Sequence, residues 1–120
     1  MNLGRYRQVL RTPQVARLFA AAILSRLPLG INGLAMILFV REETGSFAIA
    51  GAVVAAFGAG AAVSNTLQGR FMDRRGQGGV LLPLVAAHAV FVAILVVLVF
   101  AGAPTAVLVP SGLAMGASFP

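Results

Sequence analysis

The stretch Gly69-Arg70-Phe71-Met72-Asp73-Arg74-Arg75-Gly76-Gln77-Gly78 concentrates the side chains best able to do directional chemistry. Asp73 follows Gly69 by four residues, one helical turn if the helix runs on. A glycine there leaves room for a second helix to approach its backbone. The Asp73 carboxylate can accept hydrogen bonds from the amides of a facing helix N-terminus, which carry partial positive charge. Arg74 and Arg75 can pair with carboxylates or with lipid phosphate, and Gly76 permits a sharp turn. Contacts of this kind form in one conformation and break in another, which is the chemistry of a latch.

Arg26 is the second point. It lies eleven residues past Val15 in an apolar run, about 16 Å deep at the helical rise. Insertion scales charge an arginine near the midplane about 2.5–3.5 kcal/mol, so such a residue faces a polar cavity or a partner. Ser25 and Asn32 are seven residues apart and share a helix face. Ser25, Arg26 and Asn32 are therefore candidates to border a substrate or coupling cavity, with interhelical packing as the structural alternative. His88 is the one histidine; alone it makes no metal site, and packing is its first reading, with a proton relay as the second. The sequence holds no histidine pair, no Gly-x-Ser-x-Gly elbow and no acidic pair within its apolar runs, so an enzyme is not expected. No metal and no cofactor are expected either. With no cysteine there is no disulfide and no thiolate site.

These residues must be positioned by membrane helices. The 120 residues are 59% hydrophobic and 10% charged, against roughly 45–50% and about 25% in soluble domains. Such a chain cannot cover a globule with polar groups, and it is too apolar for disorder. Apolar runs cover 15–40, 47–67 and 80–101, each long enough to cross a bilayer. A fourth, 106–120, falls below the roughly 17–25 residues that cross, and reads as an incomplete span. Residues 1–14 form a polar tail, and residues 68–79 a polar loop. Pro28 and Gly30 mark a kink in the first run, and Ser46 is placed to cap the second helix. Small residues at four-residue spacing in the second run (Gly51, Ala55, Ala59; Gly58, Ala62) and in Gly112–Gly116 of the fourth favour close helix packing.

The net charge of +6 comes from arginines without lysine. They lie between the apolar runs and form no stripe, which argues for topology and against nucleic acid. Three stand in the tail (Arg5, Arg7, Arg11) and three in 68–79. The positive-inside rule then puts the N-terminus and that loop in the cytoplasm of a cell-membrane protein.

Gly69, Asp73, Arg74 and Gly76, lying between the second and third apolar runs, resemble the signature loop of the major facilitator superfamily. Gln77 and Gly78 replace the basic residues with which the family pattern continues. The resemblance implies an all-α transmembrane fold, of which this chain holds the first three to four of twelve helices. It implies a secondary transporter of small molecules working by alternating access, with proton coupling as one option. The missing partners are then the later helices of the same protein, which the loop would lock against, and the fragment alone is not expected to transport. Many drug–proton exporters of the family carry an arginine four residues before a glycine of the fourth helix; that position here is Leu108.

Two other readings fit the composition. A self-contained four-helix dimeric exporter has this length but depends on a glutamate inside its first helix, whereas Glu42 and Glu43 follow the first run. A non-transporting membrane adaptor or remnant would use its small-residue faces to hold partner helices.

Overall fold

The computed structural model describes residues 3–120. Those residues form five helices: α1 Leu3–Leu10, α2 Pro13–Thr44, α3 Phe47–Arg75, α4 Gln77–Phe100 and α5 Thr105–Ala117. No strand occurs among them. Three of the helices, α2, α3 and α4, are long and apolar enough to cross a membrane. The chain divides into one unit up to Leu34 and a second from Ala35 to Pro120.

Helix boundaries differ from the expected spans in an informative way. The tail expected over 1–14 is helical from Leu3 to Leu10, its first two residues lying outside the described ones. The expected loop 68–79 is corrected: α3 continues to Arg75 and α4 begins at Gln77, so Gly76 is the single non-helical residue between them. Gln68, Arg70, Phe71 and Met72 have no reason to leave a helix in mid-turn, and arginine is among the better helix formers. Polarity there marks where the helix leaves the apolar slab, not where it stops. What stops it is Gly76 at φ 79° and ψ 158°, a backbone region essentially reserved for glycine.

The start of α3 is set by Ser46, whose extended backbone leaves its hydroxyl free to accept from the Ile49 amide at 3.3 Å. This is the expected N-cap. Just before it, Arg41 lies over the Phe47 ring, 4.8 Å from its centre, a cation–π contact across the α2–α3 turn.

The second unit has one core. Met36 and Val40 of α2, Val53 and Phe57 of α3, Leu95 and Val99 of α4, and Leu108 and Met115 of α5 are buried together. Phe39 and Phe100 meet edge to face at 5.4 Å between centroids. The tightest packing joins α3 to α5. A Cβ on Gly112 would stand 2.7 Å from the Val53 carbonyl oxygen, and one on Gly116 would overlap the Phe57 carbonyl. On α3, a Cβ on Gly60 would overlap the Leu113 carbonyl in turn. The Gly112-x-x-x-Gly116 pair thus does what its spacing predicts.

The ladders expected on α3 do not. Gly51, Ala55, Ala59, Gly58 and Ala62 are all exposed, and α3 packs instead through Ala50, Val53, Phe57 and Gly60. In a close helix pair only one side must be small at each contact. The glycines of α5 supply that side opposite Val53 and Phe57, and Gly60 of α3 supplies it opposite Leu113.

Candidate functional site

Two places in the second unit gather polar side chains. The first is the α3–α4 turn. Asp73, Arg74 and Arg75 occupy the last turn of α3 and are exposed. Arginines there complement the negative end of the helix dipole, while an aspartate opposes it at a cost of about 0.3–1 kcal/mol. The Gly76 amide closes α3 on the Met72 carbonyl at 2.9 Å. The same residue precedes α4, which has no side-chain cap, so its first amides have no protein side chain on them. Between the two helix ends lies an open groove of about 340 Å³ lined by Phe71, Arg75, Gly79, Val80, Pro83 and Leu84. A Cβ at Gly69 would meet nothing within 4 Å. The turn thus places Gly69, Asp73, Arg74 and Gly76 within two helical turns of one another, with the carboxylate, the guanidinium groups and the uncapped α4 amides together at one end of the helix pair.

The second place was not singled out as a site by the sequence. Around the C-terminal end of α5, side chains of α3 and α4 converge on the last carbonyls of the chain. The Ser64 hydroxyl donates to the Ala117 carbonyl. Gln68 Nε2 donates to Ser64 Oγ at 2.9 Å and to the Phe119 carbonyl at 3.0 Å. Ser118 Oγ donates to the Met115 carbonyl at 2.9 Å. His88 Nδ1 lies 3.0 Å from the same oxygen. A carbonyl only accepts, so Nδ1 carries the proton and Nε2 of the neutral ring holds the lone pair. The His88 ring stands edge to face on Phe119, which stands likewise on Phe57.

The cause is elementary. The last carbonyls of a helix lack intrahelical donors, and in hydrocarbon each unsatisfied one costs several kcal/mol. Gln68 is buried at 8% exposure with its Nε2 engaged, and among the described residues no buried side-chain N or O atom lacks a partner. The signal that could have found this cluster is Ser64 and Gln68 themselves, two polar residues four apart on an apolar helix. His88 is a packing residue in this arrangement, with a directed hydrogen bond.

The candidate cavity residues belong to the other unit. Ser25 and Arg26 are exposed, and the Ser25 hydroxyl is turned back on the Ala22 carbonyl at 2.8 Å. Asn32 is half-buried. The structure does not bring the three to a common pocket. Leu108, which stands where an arginine would complete a drug-exporter pattern, is a core residue at 1% exposure. Among the described residues no cluster of three metal-ligating side chains occurs.

What fold and site define is an all-helical chain built for a membrane, with a charged turn at one end of a helix pair and a satisfied polar cluster within the bundle. No family model matches the sequence, and neither a curated protein nor a solved structure matches it.

Proposed function

We propose that this chain is the amino-terminal membrane portion of a secondary transporter resembling the major facilitator superfamily, moving a small molecule by alternating access. The observation that supports the reading is the α3–α4 turn. Gly69, Asp73 and Arg74 lie in the last two turns of α3, the second membrane-length helix, and Gly76 makes the turn into the third. The turn and the N-terminus lie on the cytoplasmic side, where the arginines concentrate. Asp73 and the arginines form a latch to helices that follow this chain, closed in one conformation and open in the other. Arg26, with Ser25 and Asn32, faces those same helices and takes part in substrate or ion coupling, since an uncovered arginine at that depth demands a partner.

Two experiments test this. The chain has no cysteine, so a single Gln77→Cys reports sidedness; labelling by an impermeant maleimide in intact cells would overturn the cytoplasmic assignment. The full-length protein is then expressed in cells and a panel of fluorescent dyes and labelled metabolites is followed for accumulation. Altered accumulation of at least one compound, lost in Asp73→Asn, supports the transporter. No change across the panel, with the protein present in the membrane, sinks it.

A further inference from the structure

We infer that α1 lies in the plane of the membrane surface and, with the first turns of α2, binds the headgroup and acyl chain of an anionic phospholipid. On a helical projection Leu3, Tyr6, Val9 and Leu10 fall on one side of α1. Gln8 falls on the other, followed by Arg11, and Arg5 and Arg7 stand at the two borders, beside Val9 and Leu3. The apolar side is left largely uncovered: Leu3 is 72%, Tyr6 66% and Val9 56% exposed. An eight-residue helix does not hold itself together in water, so a lipid surface that buries this side also supplies its stability.

Tyr6, Val9 and Leu10 of α1 and Val15 and Phe19 of α2 line an open groove of about 600 Å³, with Arg5 at its rim. An apolar groove ending on a guanidinium fits a phospholipid: acyl chain along the rings and branched side chains, phosphate forked by Arg5. The sign of the headgroup follows from charge. Arg5, Arg7, Arg11 and Arg17 precede any acidic residue, the first being Glu42, so the first unit carries positive charge alone. The inference needs only that α2 enters the bilayer, and stands whether or not the chain belongs to a transporter.

Tyr6 is the only tyrosine and there is no tryptophan, so the unmodified chain reports on its own groove. The full chain is reconstituted in vesicles of phosphatidylcholine and phosphatidylglycerol, with one or the other lipid carrying brominated acyl chains that quench on contact. Tyr6 fluorescence should be quenched by bromine and spared by acrylamide. At equal mole fraction, brominated phosphatidylglycerol should quench more than brominated phosphatidylcholine. Each arginine is worth roughly fivefold on an anionic surface, so Arg5→Gln, Arg7→Gln and Arg11→Gln combined should lose on the order of a hundredfold of that preference. Inorganic phosphate in the buffer should leave the preference unchanged. Quenching by acrylamide alone overturns the in-plane placement. Equal quenching by the two lipids overturns the anionic site, and loss of the preference on adding phosphate shows a phosphate site that is not a lipid site.

Discussion

Gly112 of α5 meets Val53 of α3 backbone to backbone: a methyl group on the glycine would stand 2.7 Å from the valine carbonyl oxygen. One turn on, Gly116 and Phe57 repeat the contact more tightly still. The two helices are held at this distance by the absence of side chains. Gly116→Ala should therefore lower stability by about 1–3 kcal/mol, the usual cost of overpacking. Gly58→Ala is the control, since a Cβ there meets nothing within 4 Å and should help the helix slightly. Unfolding of both variants in detergent micelles, followed by circular dichroism, checks the pair. Equal stability would mean that α5 does not sit on α3 as described.

The polar cluster makes a second prediction. Gln68→Leu is close to isosteric in its stem but removes the donor to the Phe119 carbonyl and to Ser64 Oγ. Single interhelical hydrogen bonds in membranes are worth about 0.6 kcal/mol on average and up to about 1.7, so losing two should cost roughly 1–3 kcal/mol. Ser64→Ala should cost less alone, because the Gln68 amide stays within reach of the Ala117 carbonyl at 3.4 Å. The double variant should be non-additive, as expected within one network. Additive losses in a double-mutant cycle would show that Ser64 and Gln68 act separately.

A third concerns His88. Its Nδ1 faces the Met115 carbonyl at 3.0 Å, so the neutral ring should be the Nδ1–H tautomer. Carbon-13 and nitrogen-15 shifts of a histidine-labelled sample distinguish the two tautomers directly. His88→Phe should preserve the stacking on Phe119 and still lose stability, on the order of 1 kcal/mol, because Met115 then keeps only the Ser118 donor. An Nε2–H ring would mean that the imidazole is turned over.

How much of this the sequence discloses differs from place to place. The membrane class, the three long apolar helices and the Ser46 cap are readable because they rest on local signals: apolar length and a hydroxyl before a helix. The length of α3 past residue 67 is not, because polarity marks the end of an apolar environment and not the end of a helix. Which face of α3 packs is not legible either. Gly51, Ala55 and Ala59 carry the small-residue pattern, yet Val53 and Phe57 make the contact, a choice set by the glycines of α5, more than fifty residues away. The α5 cluster hides for the same reason: Ser64, Gln68, His88 and Ser118 are unremarkable singly and come together only when three helices are packed. Arg26 stands out on insertion cost alone, and cost names no partner.

The turn carries the last prediction, and its value lies in separating folding from function. A Cβ at Gly69 meets nothing within 4 Å, and Asp73 is exposed on the last turn of its helix. Gly69→Leu and Asp73→Asn should thus leave the stability of this chain within about 0.5 kcal/mol of the unsubstituted protein, as for ordinary surface positions. Gly76→Ala should differ, losing about 1–3 kcal/mol, because its backbone at φ 79° strains any side chain. In the full-length protein, the latch requires Gly69 to admit a facing helix and Asp73 to hold it. Both substitutions should then slow transport tenfold or more, equivalent to roughly 1.4 kcal/mol on the conformational step, while substrate affinity changes little. Transport at the unsubstituted rate in both variants would leave Gly69 and Asp73 as an ordinary helix end, and the charged turn as a topological anchor for α3 and α4.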